Sequence, residues 1–157
     1  MKKKILSLLL SAVMTVGILP LSVVPAAAES TGKYIVRSWD DTTKKVVETE
    51  ADIPDGVTVL TSRESTVSLG AGKWYFVTAE VTVPEIEVNG TENEPTNLIL
   101  ADDCALTVTE GIRLTGGHVL HIYGQSGDTG TLTATGVERA AGIGGKNENE
   151  DGGTLTV

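Results

Sequence analysis

The feature that most constrains this chain is a set of short apolar/polar alternations that come back at an interval of about 22 residues. From residue 97 onward, Leu98 and Leu100, Leu106 and Val108, Ile112 and Leu114, Leu120 and Ile122, Leu132 and Ala134, and Leu155 and Val157 supply one face. Thr107, Arg113, His121, Thr133 and Thr156 supply the other. A period of two is the pattern of a half-buried strand. Leu98 and Leu120 stand 22 positions apart, and Leu132 and Leu155 stand 23 apart. Several short strands per unit at that spacing mark a solenoid, in which each turn of chain covers the apolar face its neighbour leaves open. The expected fold is all-β, a parallel β-helix whose rungs stack about 4.8 Å apart with the aliphatic side chains piled inside.

Upstream, residues 34–39, 45–49 and 57–61 read as strands, with Ile53-Pro54-Asp55-Gly56 as a turn and residues 65–69 as a further strand. Gly70-Ala71-Gly72 separates them from residues 74–83, a β-branched and aromatic stretch of high strand propensity. Pro84 marks residues 86–88 as an edge strand or a break. This divides the chain into a leader over residues 1–28, a β-rich segment of open role over 29–72, and a solenoid repeat region over 73–157. Val157 falls inside a strand without a capping turn, so the repeat is expected to be incomplete, the beginning of a longer solenoid.

The competing architecture is an antiparallel β-sandwich, which also shows short strands with turn signals every 8 to about 12 residues. Two features favour the solenoid. Of the six aromatic residues only Tyr123 follows residue 77, which suits aliphatic ladders better than a sandwich core. In addition, Gly130-Thr131-Leu132-Thr133-Ala134 is echoed by Gly153-Thr154-Leu155-Thr156-Val157.

The N-terminus joins Lys2, Lys3 and Lys4 to an apolar run over residues 5–19, then Pro20 and Ala26-Ala27-Ala28. Positive charge, an apolar core and a small-residue cleavage site make a secretory signal, and the run is too interrupted to span a bilayer. Without residues 1–28 the balance is nine basic against 21 acidic residues, a net charge of −12. That charge argues against a nucleic-acid partner, because phosphate contacts need a positive surface. The mature chain is expected to be secreted, with no membrane span. Cys104 is the sole cysteine, so no internal disulfide forms and no Cys-based zinc site is supported.

Trp74-Tyr75-Phe76-Val77, Asn97-Leu98-Ile99-Leu100-Ala101-Asp102, Cys104-Ala105-Leu106-Thr107-Val108, Leu120-His121-Ile122-Tyr123-Gly124-Gln125-Ser126 and Ala141-Gly142-Ile143-Gly144-Gly145 form a series. As a set, covering about residues 73–157, they resemble a Gly/Thr-rich repeat region of large secreted or surface proteins of Gram-positive gut and anaerobic bacteria. Such regions are labelled carbohydrate-binding-like or adhesin-like. The resemblance implies an extracellular setting and a β-solenoid, and it brings no catalytic residues.

The residues offer few constellations of chemistry. Asp102-Asp103 in one turn, and Glu148, Glu150 and Asp151 in another, are candidates for Ca²⁺, which takes several oxygen ligands at flexible geometry. The ordinary reading is solvated acidic turns. His118 follows Gly116-Gly117 in a turn and His121 alternates outward, so a metal site between them lacks a third ligand. Gly142-Ile143-Gly144-Gly145 is not followed by the Lys and Ser/Thr of a phosphate loop. Thr131, Thr133 and Thr135 with Thr154 and Thr156 are outward threonines of the kind that order water against ice, and are also ordinary strand residues. Tyr123, His121, Thr133 and Thr156 are the candidate ligand surface, with Trp39, Trp74 and Tyr75 as further rings on which a sugar could stack. The expected function is a non-catalytic extracellular binding or structural module, used in adhesion or in contact with a polysaccharide or cell-surface glycan. The alternative is the front of a β-helix polysaccharide lyase or hydrolase whose active residues lie past Val157.

Overall fold

The computed structural model describes residues 32–157; the leader expected over residues 1–28 lies outside the described residues. Fourteen strands and no helix occur among those residues. The first two, β1 (Lys33–Asp40) and β2 (Lys45–Asp52), form an antiparallel hairpin. The rest are β3 (Thr58–Val59), β4 (Val67–Leu69), β5 (Trp74–Val77), β6 (Glu80–Val83), β7 (Ile86–Val88), β8 (Thr96–Leu100) and β9 (Ala105–Val108). They are followed by β10 (Ile112–Arg113), β11 (Val119–Gly124), β12 (Thr131–Ala134), β13 (Ile143–Gly144) and β14 (Thr154–Thr156).

These twelve strands make three parallel sheets, ordered β14-β11-β8-β5-β3, β13-β10-β7-β4 and β12-β9-β6. From β5 onward each strand pairs with the one three places further along, so consecutive strands fall in different sheets. That excludes the antiparallel sandwich for this region, since antiparallel pairing is confined to the hairpin and one isolated bridge, Thr115 with Gly152. Leu69, Val83, Leu98, Leu106, Ile112, Leu114 and Leu120, drawn from all three sheets, are at most 2% exposed and belong to one cluster. The alternation marks the buried side in β9, where Leu106 and Val108 are buried as Val81 and Val83 are in β6. Leu155 on the edge strand β14 and Val157 after it, expected inside, are instead 40% and 76% exposed, and Arg113, expected on the outer face, is buried.

The register differs from the sequence reading. Leu98 lies opposite Ile122, 24 positions on, and Leu120 lies opposite Thr96 and Leu155. Leu132 lies opposite Leu106, in a different sheet from Leu155, so the two Gly-Thr-Leu-Thr copies are not equivalent places in the stack. Equal spacing fails because the corners differ in length. The partner interval is 23 residues from Tyr75 to Leu98, 26 from Leu106 to Leu132, 31 from Ile112 to Ile143 and 35 from Leu120 to Leu155.

Three further details correct the expectations. Parallel pairing begins at Thr58 and Val67, ahead of residue 73. Residues 74–83 are two strands in two sheets, with a corner at Thr78-Ala79. Residues 86–88 are no edge: β7 sits between β4 and β10, because Pro84 precedes the strand and its carbonyl accepts a bond from the Glu110 N–H at the corner. The corners are tight. A Cβ on Gly130 would stand 2.6 Å from the Ala101 carbonyl oxygen, so only glycine fits there.

Candidate functional site

The outward faces of the three sheets differ, and that difference locates the candidate surfaces. In the five-stranded sheet, residues of one parity, Tyr75 with Leu98 and Ile122, point to the core. The other parity places Trp74, Asn97, His121 and Thr156 in one row and Phe76, Ile99 and Tyr123 in the next. This outer row is apolar, yet Ile99 is fully buried and Phe76 nearly so. The hairpin covers it. Tyr34 from β1 packs edge-on against Tyr123 at 4.9 Å and against Trp74 at 5.2 Å, while the Trp74 and Tyr123 rings stack at 5.5 Å. Val36 and Ala51 pack on the same cluster, and Gln125 Nε2 donates to the Lys33 carbonyl.

Tyr123 is therefore a packing residue before it is a ligand platform. Its hydroxyl donates to Asn97 Oδ1 at 3.4 Å and lies 3.3 Å from His121 Nδ1. Burial pushes the phenol pKa of Tyr123, and that of Tyr34, above the ordinary value. Tyr75 is buried, with its hydroxyl accepting the Gly70 N–H. The aromatic ring left open is Trp39, paired with the equally exposed Val46 at the hairpin tip. That tip is fixed by Asp40, whose carboxylate accepts bonds from the Thr42 and Thr43 N–H groups and the Thr43 hydroxyl; these hold its pKa below the usual value.

Among the described residues the three-stranded sheet has no such cover. Thr82, Thr107 and Thr133 are directly in register across β6, β9 and β12, with Thr131 beside them. Thr109 and Thr135 follow β9 and β12 and donate N–H bonds to Val83 and Val108. All of these are exposed except the half-buried Thr107. Adjacent strands lie about 4.8 Å apart and alternate residues about 6.7 Å apart along a strand, so the face is a flat grid of hydroxyls and methyls. Thr133 belongs to this grid; Thr156 lies in the row with His121 on a different sheet, so the four ligand-surface candidates do not converge.

The four-stranded sheet carries a third arrangement, which sequence reasoning missed. Ser68, Glu87, Arg113 and Gly144 are in register on its outer face. The Arg113 side chain is 8% exposed and its Nε donates to Glu85 Oε1 at 2.7 Å, while Nη2 donates to the Glu110 carbonyl at 2.6 Å. Its Nη1 is buried with no acceptor. Two hollows, of about 280 and 670 Å³, share Arg113 and Lys146 as lining residues; the smaller also includes Glu87, Asn89, His118 and Glu150. The signal was an arginine between Ile112 and Leu114, on the strand that pairs with the one following Glu85 and carrying Glu87.

The acidic candidates separate in space. Asp102 accepts the Gly127 N–H and its own N–H donates to Gln125, while the Asp103 N–H donates to the Thr129 hydroxyl, at a corner after β8. Glu148 pairs with the exposed Arg139 and Glu150 accepts the Lys146 N–H, in the connection after β13 that also holds Asp151. Among the described residues no group of three or more His, Cys, Asp or Glu is placed to hold a metal ion. Cys104 is buried, which pushes its thiol pKa up. No family model, curated protein or solved structure matches the chain.

Proposed function

We propose that this chain is a parallel β-helix module, exported by its leader, that makes non-catalytic contact with polysaccharide through the threonine grid of its three-stranded sheet. The helix reading is supported by the rule that each strand from β5 onward pairs with the third one along. The functional reading is carried by one observation, the registered column Thr82-Thr107-Thr133 on a sheet face that no element covers among the described residues. An extended glycan presents hydroxyls at a regular interval, and a row of rigid hydroxyl side chains at strand spacing meets such a polymer along its length. Affinity from single hydroxyl contacts is small, about 1 kcal/mol each, so the ligand would be held by many repeats together and lost when the face is interrupted.

The test is co-sedimentation of the exported protein with a panel of insoluble cell-wall and mucosal polysaccharides. Retention on at least one of them, abolished in a T107K/T133K variant of unchanged melting temperature, is the expected result. Retention that the double variant leaves intact moves the contact off this face. Failure to bind any of the polymers leaves the module as a structural spacer.

A further inference from the structure

We propose that the smaller hollow beside Arg113 is a subsite for one carboxylated sugar ring, a uronic acid residue of the polymer. This rests on the polysaccharide reading and names the sugar class that a second part of the surface takes. At about 280 Å³ the hollow lies near the bottom of the usual small-ligand range of roughly 300–1,000 Å³, the size of a single ring. Two cationic groups line it without a full set of acceptors. A guanidinium has five N–H donors, and of the Arg113 nitrogens Nε and Nη2 are engaged while the buried Nη1 has no acceptor. Lys146 is exposed, and its ammonium enters no ion pair among the described residues.

The surrounding acids decide which anion fits. Glu85, Glu87 and Glu150 share the hollow, and with Glu85 paired to Arg113 a phosphate or sulfate dianion would still face two further carboxylates. A uronic acid brings one negative charge together with hydroxyl donors. Its carboxylate pairs with Lys146 beside the Arg113 guanidinium, and its hydroxyls donate to Glu87 and Glu150 and accept from Asn89 or His118. Because Nη1 has no open surface in the free chain, the carboxylate meets the Lys146 ammonium, and Arg113 contributes its positive charge from the wall of the hollow.

The test is titration calorimetry of the exported protein at low salt with trisaccharides of glucuronic or galacturonic acid, their neutral counterparts, and inorganic phosphate. Expected is binding of an acidic trisaccharide at least tenfold tighter than its neutral counterpart, weakened at least tenfold by Lys146→Ala and by Glu87→Ala. Lys146 and Glu87 are both exposed, so folding is not at stake. Equal binding of acidic and neutral sugars, displacement by millimolar phosphate, or a Lys146→Ala variant that binds as the parent does would each overturn the proposal. If no trisaccharide binds while co-sedimentation through the threonine grid persists, the subsite alone is wrong. If both fail, the polysaccharide reading falls with it.

Discussion

The five-stranded and three-stranded sheets share an interior and differ on the outside. Both feed aliphatic side chains from every second residue into one core. Outside, one carries Phe76, Ile99 and Tyr123 and is roofed by a hairpin, whereas the other carries Thr82, Thr107 and Thr133 and is bare among the described residues. An apolar outer row gains from being covered, while threonine is content with water on one side and the sheet on the other. The four-stranded sheet lies between these cases: its outer arginine is buried, and an ion pair with Glu85 compensates for that burial. Outward chemistry, repeated strand by strand across each parallel sheet, thus sorts the surface into roofed and open faces.

The largest way to break this contrast is at the Arg113 pair. Removing one partner of a buried pair strands the other charge, so Glu85→Ala is expected to cost about 4 kcal/mol in urea unfolding. A loss under about 1 kcal/mol would mean that Arg113 behaves as a surface residue. Next comes the roof. Ile99 is fully buried although it points away from the core. Ile99→Ala is therefore expected to lose about 3 kcal/mol, as much as Leu98→Ala on the core side. If only Leu98→Ala is costly, the hairpin does not act as a roof.

How much of this was legible follows from the same residues. Periodicity marked which side chains point inward, because a strand has only two faces. It did not set the register, since corners of different length leave the strand pattern unchanged. The roof had a sequence signal in the unbroken apolar runs Trp74-Tyr75-Phe76-Val77 and Leu98-Ile99-Leu100, which are the mark of strands buried on both sides. The pairing of Arg113 with Glu85 could not be read without the register.

A finer test uses pH. Burial raises the phenol pKa of Tyr34 and Tyr123, so the folded chain holds those protons more tightly than the unfolded one. The associated stability is whole below the unfolded value of about 10 and is lost as pH rises through the higher folded value. The groups facing these rings are Trp74, His121 and Asn97. Melting temperature is expected to fall more steeply between pH 9 and 11, by about the range that brackets free tyrosine, in the parent than in a Tyr34→Phe variant. Identical slopes would remove Tyr34 from the account. The smallest effect belongs to the bare face: Thr133→Ala is expected to change stability by less than about 0.5 kcal/mol, and a larger loss would reveal a cover on that sheet.

From β5 onward the partner interval stretches from 23 residues to 35 while the paired strands still meet in line. Surplus chain at a corner is thermodynamically cheap, since doubling a loop adds only about 0.6 kcal/mol of closure entropy. The connections near Arg113 can therefore be lengthened, shortened or exchanged with little disturbance to the ladder beneath. A scaffold of this kind separates what must stay constant from what is free to vary, and new specificities can be grafted one corner at a time.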